Sequence, residues 1–464
     1  MKKMMKSITA AAMAMLLSVA AMGGCTGQNT AVSKAPGESA ASKAGEPVTI
    51  TIMQANSPDK AYFDKLGAEF TKRNPNIKVE VIAVPYDQFD SKLQTLVASG
   101  TAPDITTHVQ LMGFMDYYSK GLLTDLTPYI EKYKFDYDKL GIPKNVMDTA
   151  VVDGKTYGIP LNTFTSVLIY NKDIFDKAGV AYPPSDYNDK SWTFDKMVQI
   201  AKKLTSGTGG NAIYGLEWDW SAKSPLQDTE YFGPQLFNMD TAKKGYAATS
   251  NMAKSNVISA YQRIADLAFA DGVSPNPATL NAMTGSNDSD PLLTGRIAME
   301  VEGAWGLSGL NDLPFRVGVA AVPVGGNDKA RDVLFTDPYF ILKGSKHPEE
   351  AFKFISFMAE PEIQQKMIEY SEGNPPSSVL ALDTYYNYFK DVDPKELKNV
   401  ITGGLQYGVE DVEHLITGSG QIHNLLLNEL TDVTNGKKKA ADVCPALANK
   451  LDTTLKEILA SGNK

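Results

Sequence analysis

The sequence predicts an α/β protein in which mostly parallel sheets are covered by helices and the chain is divided between two domains. Two observations support this class. Strand and helix patterns alternate from Val48 onward, which is typical of parallel strands joined by helices. The part that follows a polar N-terminal segment has about 420 residues, and chains of that size usually divide into more than one core.

The alternation is clearest at the start of this part. Residues 48–53 and 77–84 are rich in Val and Ile, with alternating polar positions, and are predicted strands. Residues 62–72 and 86–99 carry apolar side chains at helical spacing and are predicted helices. A third strand is predicted at 103–107. The order strand, helix, strand, helix, strand favours a parallel sheet.

Polar side chains follow the first and third of these strands. Residues 54–56 are Gln-Ala-Asn, and residues 108–110 are His-Val-Gln. Ligands of open α/β sheets bind at the carboxyl ends of the strands. We therefore predict Asn56 and Gln110 as ligand contacts.

The N-terminus has the pattern of an export signal. Lys2, Lys3 and Lys6 precede the uncharged stretch 8–22, and two glycines and Cys25 follow it. The apolar run has about 15 residues, which is short of the roughly 20 that a membrane-spanning helix needs. We therefore predict a cleaved signal peptide and not a membrane span.

The cysteine that follows two small residues resembles a bacterial lipobox. This resemblance implies that residues 1–24 are removed and that the Cys25 thiol carries a diacylglycerol, with palmitate among its acyl chains. An ordinary secretory signal with an incidental cysteine is the alternative. Residues 25–46 would then be the lipidated cysteine and a flexible tether, since their small and polar side chains cannot bury enough apolar surface to order them.

The charge of the chain excludes some classes of partner. The net charge is −9, and it becomes about −12 once the three leader lysines are removed, which disfavours nucleic acid and anionic membrane surfaces. After lipidation of Cys25, Cys444 is the remaining thiol. No intrachain disulfide is then possible, so the fold must depend on its hydrophobic cores.

Three conspicuous motifs are predicted to have structural roles. Residues 170–173 read as a strand end followed by a helix cap. Thr193 is a predicted N-cap, with Trp192 packed beside it. Residues 347–350 read as a helix start, with two glutamates at the positive end of the helix dipole.

A longer series of motifs runs through the chain. The motifs lie at residues 157–160, 167–175, 178–180, 183–184, 191–195, 201–205, 295–300, 302–305, 317–320, 322–323, 343–351 and 361–365. In this order they resemble the family 1 extracellular solute-binding proteins, the carbohydrate-receptor subunits of bacterial ABC importers, over nearly all of residues 48–430. Maltodextrin-binding protein is the best-known relative. The resemblance implies a two-lobed periplasmic-binding-protein-like fold of type II, with helices on both sheet faces and a ligand cleft between the lobes.

The resemblance also implies where the lobes begin and end. The N-terminal lobe would comprise residues 47–163 and 337–359, and the C-terminal lobe residues 164–336 and 360–464. The chain would cross between them near residues 162–166, 334–339 and 356–361. Polar side chains at the crossings can reach a ligand from both lobes, which makes Asn162, Thr163 and Asp337 candidate contacts.

Sugar chemistry indicates the remaining candidates. Aromatic rings cover the apolar faces of a sugar, and carboxylates and amides bind its hydroxyl groups. Trp218, Asp219 and Trp220 are candidates of these types at a probable strand end, and Tyr339 is another, directly after Asp337-Pro338. The family resemblance implies Trp305 as a stacking aromatic, with Glu302 just before it, and Asn374 and Tyr407 as further cleft contacts. The two tryptophans at 218 and 220 also fit a strand with core side chains. Phe164 stands where maltodextrin-binding protein has a carboxylate, so the same ligand is not implied.

The sequence contains no recognisable catalytic or cofactor motif. It lacks a GxxxxGK[ST] loop and a GxSxG elbow, and His414 and His423 are nine residues apart, which does not match HExxH. Residues 287–290 are rich in carboxylates, but Pro291 follows, so a solvated loop is the interpretation there. We expect no enzyme activity, no cofactor and no metal. A carbohydrate hydrolase, a receptor for a non-sugar solute and an adhesion or scaffold lipoprotein remain the alternatives.

These inferences together predict a receptor on the extracellular face of the cell membrane. The lipid on Cys25 would be its only membrane contact, and a Gram-positive cell is expected because such a cell lacks an outer membrane to retain a soluble receptor. The resemblance implies a carbohydrate ligand, the transmembrane permease subunits of an ABC importer as partners, and a monomeric protein.

Overall fold

The computed structural model describes residues 47–55, 57–109, 111–218, 224–285, 290–325 and 332–462. The strands are β1 (Val48–Ala55), β2 (Ile77–Val84), β3 (Ile105–Thr106), β4 (Val151–Val152), β5 (Lys155–Thr156), β6 (Ile159–Asn171), β7 (Glu217–Trp218), β8 (Phe237–Met239), β9 (Ala247–Ser250), β10 (Met299–Gly303), β11 (Val317–Ala320), β12 (Asp332–Ile341) and β13 (Gly408–Glu410).

Helices cover these strands and form a separate helical layer near the C-terminus. They are α1 (Ser57–Arg73), α2 (Phe89–Ala98), α3 (Phe114–Ser119), α4 (Thr127–Tyr133), α5 (Lys144–Met147), α6 (Lys172–Ala178), α7 (Phe194–Leu204), α8 (Ser255–Phe269), α9 (Pro277–Thr284), α10 (Pro348–Met358), α11 (Pro361–Tyr370), α12 (Leu382–Tyr386), α13 (Pro394–Tyr407), α14 (Val412–Leu415), α15 (Ser419–Thr434) and α16 (Ala440–Ser461). In the described part of the chain, no helix has the length and apolarity needed to span a membrane.

The N-terminal elements match the sequence pattern closely. Strand β2 has the predicted bounds and pairs in parallel with β1, which in turn pairs in parallel with β3. Helix α1 begins five residues before the predicted start at Tyr62. The signal peptide, Cys25 and the tether lie outside the described residues.

Two long strands join the halves of the main sheet, whose strand order is β2-β1-β3-β12-β6-β10-β7. The 13 residues of β6 are all buried; its first half pairs with β12 and its second half with β10 and β11. Strand β12 continues past Pro338, where the register shifts, to pair with β3. These long-strand pairings are antiparallel, whereas β1–β2 and β1–β3 are parallel, as predicted, and β7–β10 is also parallel.

The two long strands β6 and β12 are called the crossing strands. The hydrophobic cores lie on their two sides. One core surrounds β1 and includes Ile50, Phe63 and Phe352. Another surrounds the second half of β6 and includes Leu168 and Met197. A third joins α8, α15 and α16 in the helical layer. The fold is thus the two-lobed α/β class that the sequence predicted.

The three motifs expected to be structural have those roles. The Asn171 side chain accepts hydrogen bonds from the N–H groups of Asp173 and Ile174 at the start of α6. Thr193 caps α7, and the Trp192 indole donates to the Ala321 carbonyl at 2.8 Å. Helix α10 begins directly after His347, with both glutamates in its first turn.

Candidate ligand site at the crossing strands

Trp305 lies in the turn that follows β10 and is the most exposed of the described tryptophans. Its side chain is 37 % exposed, whereas Trp192 and Trp218 are 3 % and 5 % exposed. Its indole Nε1 donates a hydrogen bond to Glu302 Oε1 at 2.7 Å. The ring is therefore held in place while part of its surface stays available for stacking.

Two phenylalanines from the crossing strands pack against this indole. Phe164 of β6 makes an edge contact at 5.6 Å between ring centroids, and Phe335 of β12 makes another at 4.7 Å. Edge contacts of this kind fix the orientation of an aromatic ring. Trp305 is thus attached to the crossing strands themselves, where the sequence resemblance had placed the ligand.

A buried polar cluster adjoins Phe335. The His108 imidazole, which follows β3, stacks on the His414 imidazole of α14 with centroids 3.9 Å apart. His108 Nε2 lies 2.9 Å from the Thr336 carbonyl oxygen and 3.5 Å from Asp337 Oδ1. His414 Nδ1 lies 2.7 Å from Glu410 Oε1. Side chains from three separate stretches of the sequence therefore meet in this cluster, which contacts Phe335 through His414.

Burial changes the proton affinity of this cluster. It raises the pKa of Glu410 to about 8, against the opposing effect of hydrogen bonds from Thr336. Burial, together with the neighbouring His108, lowers the pKa of His414 to about 3. Glu410 and His414 therefore share one proton at neutral pH, and their mutual contact carries no net charge.

The cluster borders a cavity of about 840 Å³. Its lining residues come from two stretches and are Thr229, Glu230, Gly233, Pro234, Gln235, Leu236, Phe237, Asn238, Met239, Val409, Glu410, Val412 and Leu415. The volume and the mixture of apolar walls with a few polar groups are typical of small-ligand pockets. Glu410 belongs both to this wall and to the polar cluster.

Four of the predicted contacts lie at or against the crossing strands, and they are Asn162, Thr163, Asp337 and Asn374. Asn162 and Thr163 of β6 stand opposite Asp337 and Thr336 of β12. The Asn162 amide donates to the Pro375 carbonyl at 2.9 Å, and the Thr163 hydroxyl lies 2.8 Å from that of Ser377. These bonds hold residues 374–377, including the half-buried Asn374, against β6.

Three other predicted contacts pack elsewhere. Trp218 is buried against Phe194 and Tyr231, each at a centroid distance of 5.0 Å. Tyr339 is buried in the core around β1. Tyr407 stacks on Tyr187, and its hydroxyl donates to Asn188 at 2.9 Å. Large aromatic side chains stabilise a core by the area they bury, so the cores of this fold account for Trp218 and Tyr339.

The remaining predicted contacts lie outside the described residues. They are Asn56, Gln110, Asp219 and Trp220. The sequence reasoning, in turn, did not identify Phe335, Glu410 or His414 as site residues. No local pattern marks Glu410 or His414, because β13 and α14 are only three and four residues long.

A group of buried acids lies next to Trp305. Glu300 and Glu302 are two residues apart on β10 and therefore point to the same face of the strand, and Glu217 of β7 stands opposite Glu300. Residues 287–289 of the predicted solvated loop lie outside the described residues, and Asp290, which ends it, is half-buried and close to Glu300. Burial, and secondarily Asp290, raise the pKa of Glu300 well above its ordinary range.

Comparisons with known proteins identify the family and the fold of this chain. The family model of the bacterial extracellular solute-binding proteins matches residues 54–365. An ABC substrate-binding protein from Listeria monocytogenes, solved in complex with cycloalternan, is 29 % identical with a TM-score of 0.76; the match covers 89 % of this chain and 100 % of that chain. Maltose-bound MalE3 from T. maritima has the same fold at 19 % identity, with a TM-score of 0.68 and coverage of 88 % and 99 %.

Two curated binding proteins are also similar to this chain in sequence. The lactose-binding protein of Rhizobium radiobacter is 24 % identical over 76 % of this chain and 80 % of that protein. The arabinooligosaccharide-binding protein of Bacillus subtilis is 30 % identical over 45 % of this chain and 47 % of that protein. The family match spans more than half of the residues. The chain therefore belongs to the bacterial extracellular solute-binding proteins.

Proposed function

We propose that this protein binds a carbohydrate, most simply an oligosaccharide, and delivers it to the permease of an ABC importer. The observation that carries the proposal is Trp305, an exposed indole fixed by Glu302 beside buried polar groups at the crossing strands. A flat ring next to hydroxyl-binding groups matches the two surfaces of a sugar. The names of the lactose- and arabinooligosaccharide-binding relatives support the same ligand class.

The proposed contact set combines sequence and structure. Trp305 would stack on a sugar face, while Glu302, Asp337 and Asn374 would bind hydroxyl groups. Asn162 and Thr163 would position the 374–377 segment through the bonds described above. We add Phe335, which packs on the Trp305 ring, and the cluster of His108, Glu410 and His414, which reaches Phe335 through His414. Asn56, Gln110, Asp219 and Trp220 remain candidates on sequence grounds.

The mechanism that follows is binding coupled to closure of two lobes. We propose lobes at residues 47–163 with 337–359 and at residues 164–336 with 360–464. Contacts already join these segments: Asp116 accepts hydrogen bonds from the Gly418 N–H at 2.9 Å and from the Ser419 hydroxyl at 2.7 Å. A ligand that touches both lobes favours the closed form by its extra contacts there. The binding free energy performs this step, and no bond of the ligand changes.

The setting of the receptor is also part of the proposal. Cys25 would carry the lipid after removal of residues 1–24, and residues 26–46 would tether a monomeric body to the outer face of a Gram-positive cell membrane. ATP hydrolysis would belong to another subunit of the importer, in keeping with the absence of a GxxxxGK[ST] motif from the sequence. The comparisons give no support to a hydrolase, and family membership favours a receptor.

A ligand panel on the body of the protein, residues 46–464, tests the proposal. Malto-, xylo-, gluco-, manno- and galacto-oligosaccharides are compared with peptides and polyols by thermal shift and tryptophan fluorescence. A ligand at 100 times its Kd should stabilise the fold by about 2.7 kcal/mol. An oligosaccharide that binds and is recovered intact supports the receptor. A sugar that is consumed favours the hydrolase, and a panel in which only peptides or polyols bind overturns the carbohydrate assignment.

A further inference from the structure

Three carboxylates beside the Trp305 turn are close enough to share one ion. One oxygen atom from each of Asp290, Glu300 and Glu302 lies within 4.8 Å of the other two. Strand β10 places the two glutamates on one face, and Asp290 approaches from the segment that precedes β10. Oxygen atoms this close together can converge on a single central ion, and Ca²⁺ is bound by carboxylate oxygens.

Glu300 provides an independent indication that this group needs a ligand. Its side chain is 0 % exposed, and within the described part of the chain neither carboxylate oxygen has an N–H donor; the side chain nearest to it is the carboxyl group of Asp290. Among the described residues, the acids Asp290, Glu302 and Glu217 bring like charges close to it. A buried carboxylate surrounded by like charges is strongly unfavourable unless a cation or a proton compensates it.

We propose that Asp290, Glu300 and Glu302 bind a divalent cation, and that Ca²⁺ is the cation that fits them best. All three ligands are carboxylate oxygens, which favours hard cations over Zn²⁺ or Cu²⁺, whose protein sites use imidazole and thiolate. Mg²⁺ requires a near-ideal octahedron at shorter distances and usually retains several waters. Asp290 is half-buried, so it can give the ion a path from solvent.

The cation would influence the position of the Trp305 ring through Glu302. The same carboxylate accepts the hydrogen bond from the Trp305 indole at 2.7 Å. A cation held by Glu302 would therefore fix the acceptor that orients the ring. This coupling to sugar binding rests on the proposed function, whereas the cation site itself does not depend on it.

The test uses the mature protein, purified in detergent, treated with EDTA and dialysed, with no sugar present. Thermal unfolding is followed while Ca²⁺ is added, and Tb³⁺ luminescence excited through tryptophan reports an ion close to Trp305. The variants are Glu300→Gln and the milder Asp290→Asn. Glu80→Gln is the matched control, because Glu80 is an exposed acid on β2 that pairs with Lys78.

We expect saturating Ca²⁺ to raise the Tm of the wild type and of Glu80→Gln by a few degrees. Both site variants should lose this shift and the Tb³⁺ signal, and Trp305→Phe should lose the signal while it keeps the shift. Absence of a Ca²⁺ shift in the wild type would overturn the proposal in favour of a proton shared by Asp290 and Glu300. A shift that persists in both site variants would also overturn it, since the ion would then bind elsewhere.

Discussion

The imidazole rings of His108 and His414 stack at a centroid distance of 3.9 Å with an interplanar angle of 25°. His108 follows the sheet strand β3, and His414 belongs to the short helix α14, so the stack joins parts of the chain that are about 300 residues apart. Asp337 faces His108, and Glu410 faces His414. This contact joins the end of β3 to α14.

The pair Glu410 and His414 predicts an optimum in stability against pH. In the folded protein, pKa values of about 8 and about 3 mean that the pair binds one proton between these limits. In the unfolded chain, with pKa values of 4.5 and 6.5, the pair binds two protons below the lower value and none above the higher one. Its contribution to the free energy of unfolding is therefore largest between pH 4.5 and 6.5, and it falls on both sides.

Urea unfolding of the wild type and of the double variant Glu410→Gln/His414→Asn at pH 6 and pH 8 checks this dependence. From pH 6 to pH 8, the free energy of unfolding of the wild type should fall by about 1–2 kcal/mol more than that of the variant. Equal losses in the two proteins would contradict the assignment of the shared proton.

Asp116 is expected to stabilise the ligand-bound form. Its carboxylate accepts from the Gly418 N–H and the Ser419 hydroxyl at the start of α15, where the helix dipole also favours a negative charge. Asp116→Ala should weaken ligand binding about 5- to 20-fold, because it removes charge-assisted hydrogen bonds between the proposed lobes. Isothermal titration measures the loss. Asp432→Asn, at an exposed acid paired with Lys438, is the control; a loss of similar size in the control would contradict this role.

Gly113, which lies against α14, is expected to tolerate no side chain. A Cβ atom at this position would lie 2.1 Å from the Glu413 carbonyl oxygen, so Gly113→Ala must move α14 away from residue 113. We predict weaker ligand binding and a larger radius of gyration in the presence of ligand, by small-angle scattering. Gly210→Ala should change neither quantity, since a Cβ atom at residue 210 meets no atom within 4 Å.

Cys444 should be unreactive in the native body of the protein. It is fully buried in the core between α8, α15 and α16, and burial raises the pKa of its thiol to about 11. A thiol reagent at pH 8 should modify residues 46–464 only as they unfold. Rapid stoichiometric labelling of the folded protein would show that this core is open.

The sequence was informative where the determining contacts are local. The caps Asn171 and Thr193 and the strand β2 follow from neighbouring residues, and the structure confirms each of them. Trp218 is the last residue of β7 and Trp305 follows β10, and only the packing distinguishes them: Phe194 and Tyr231 cover the first ring, whereas part of the second ring stays exposed.

The parts of the site that sequence reasoning missed depend on distant contacts. Glu410 and His414 have no periodic pattern around them, and they join the polar cluster only because α14 packs against His108. The sequence predicts a solvated loop at residues 287–290 because Pro291 follows the carboxylates, whereas the proximity of Asp290 to Glu300 depends on how the later strand β10 packs. Such pairings are set by how the elements pack, and single-sequence patterns do not encode that packing.

The central claim is that Trp305 is the stacking surface for a sugar, and titration of Trp305→Ala with the oligosaccharide that binds the wild type tests it most directly. We predict that Kd rises by about 30-fold or more, since the loss of a central aromatic contact typically costs at least 2 kcal/mol. Tyr182→Ala, which removes an exposed ring that bonds to Asp176, should bind like the wild type. Unchanged affinity in Trp305→Ala, with the fold intact, would contradict the account.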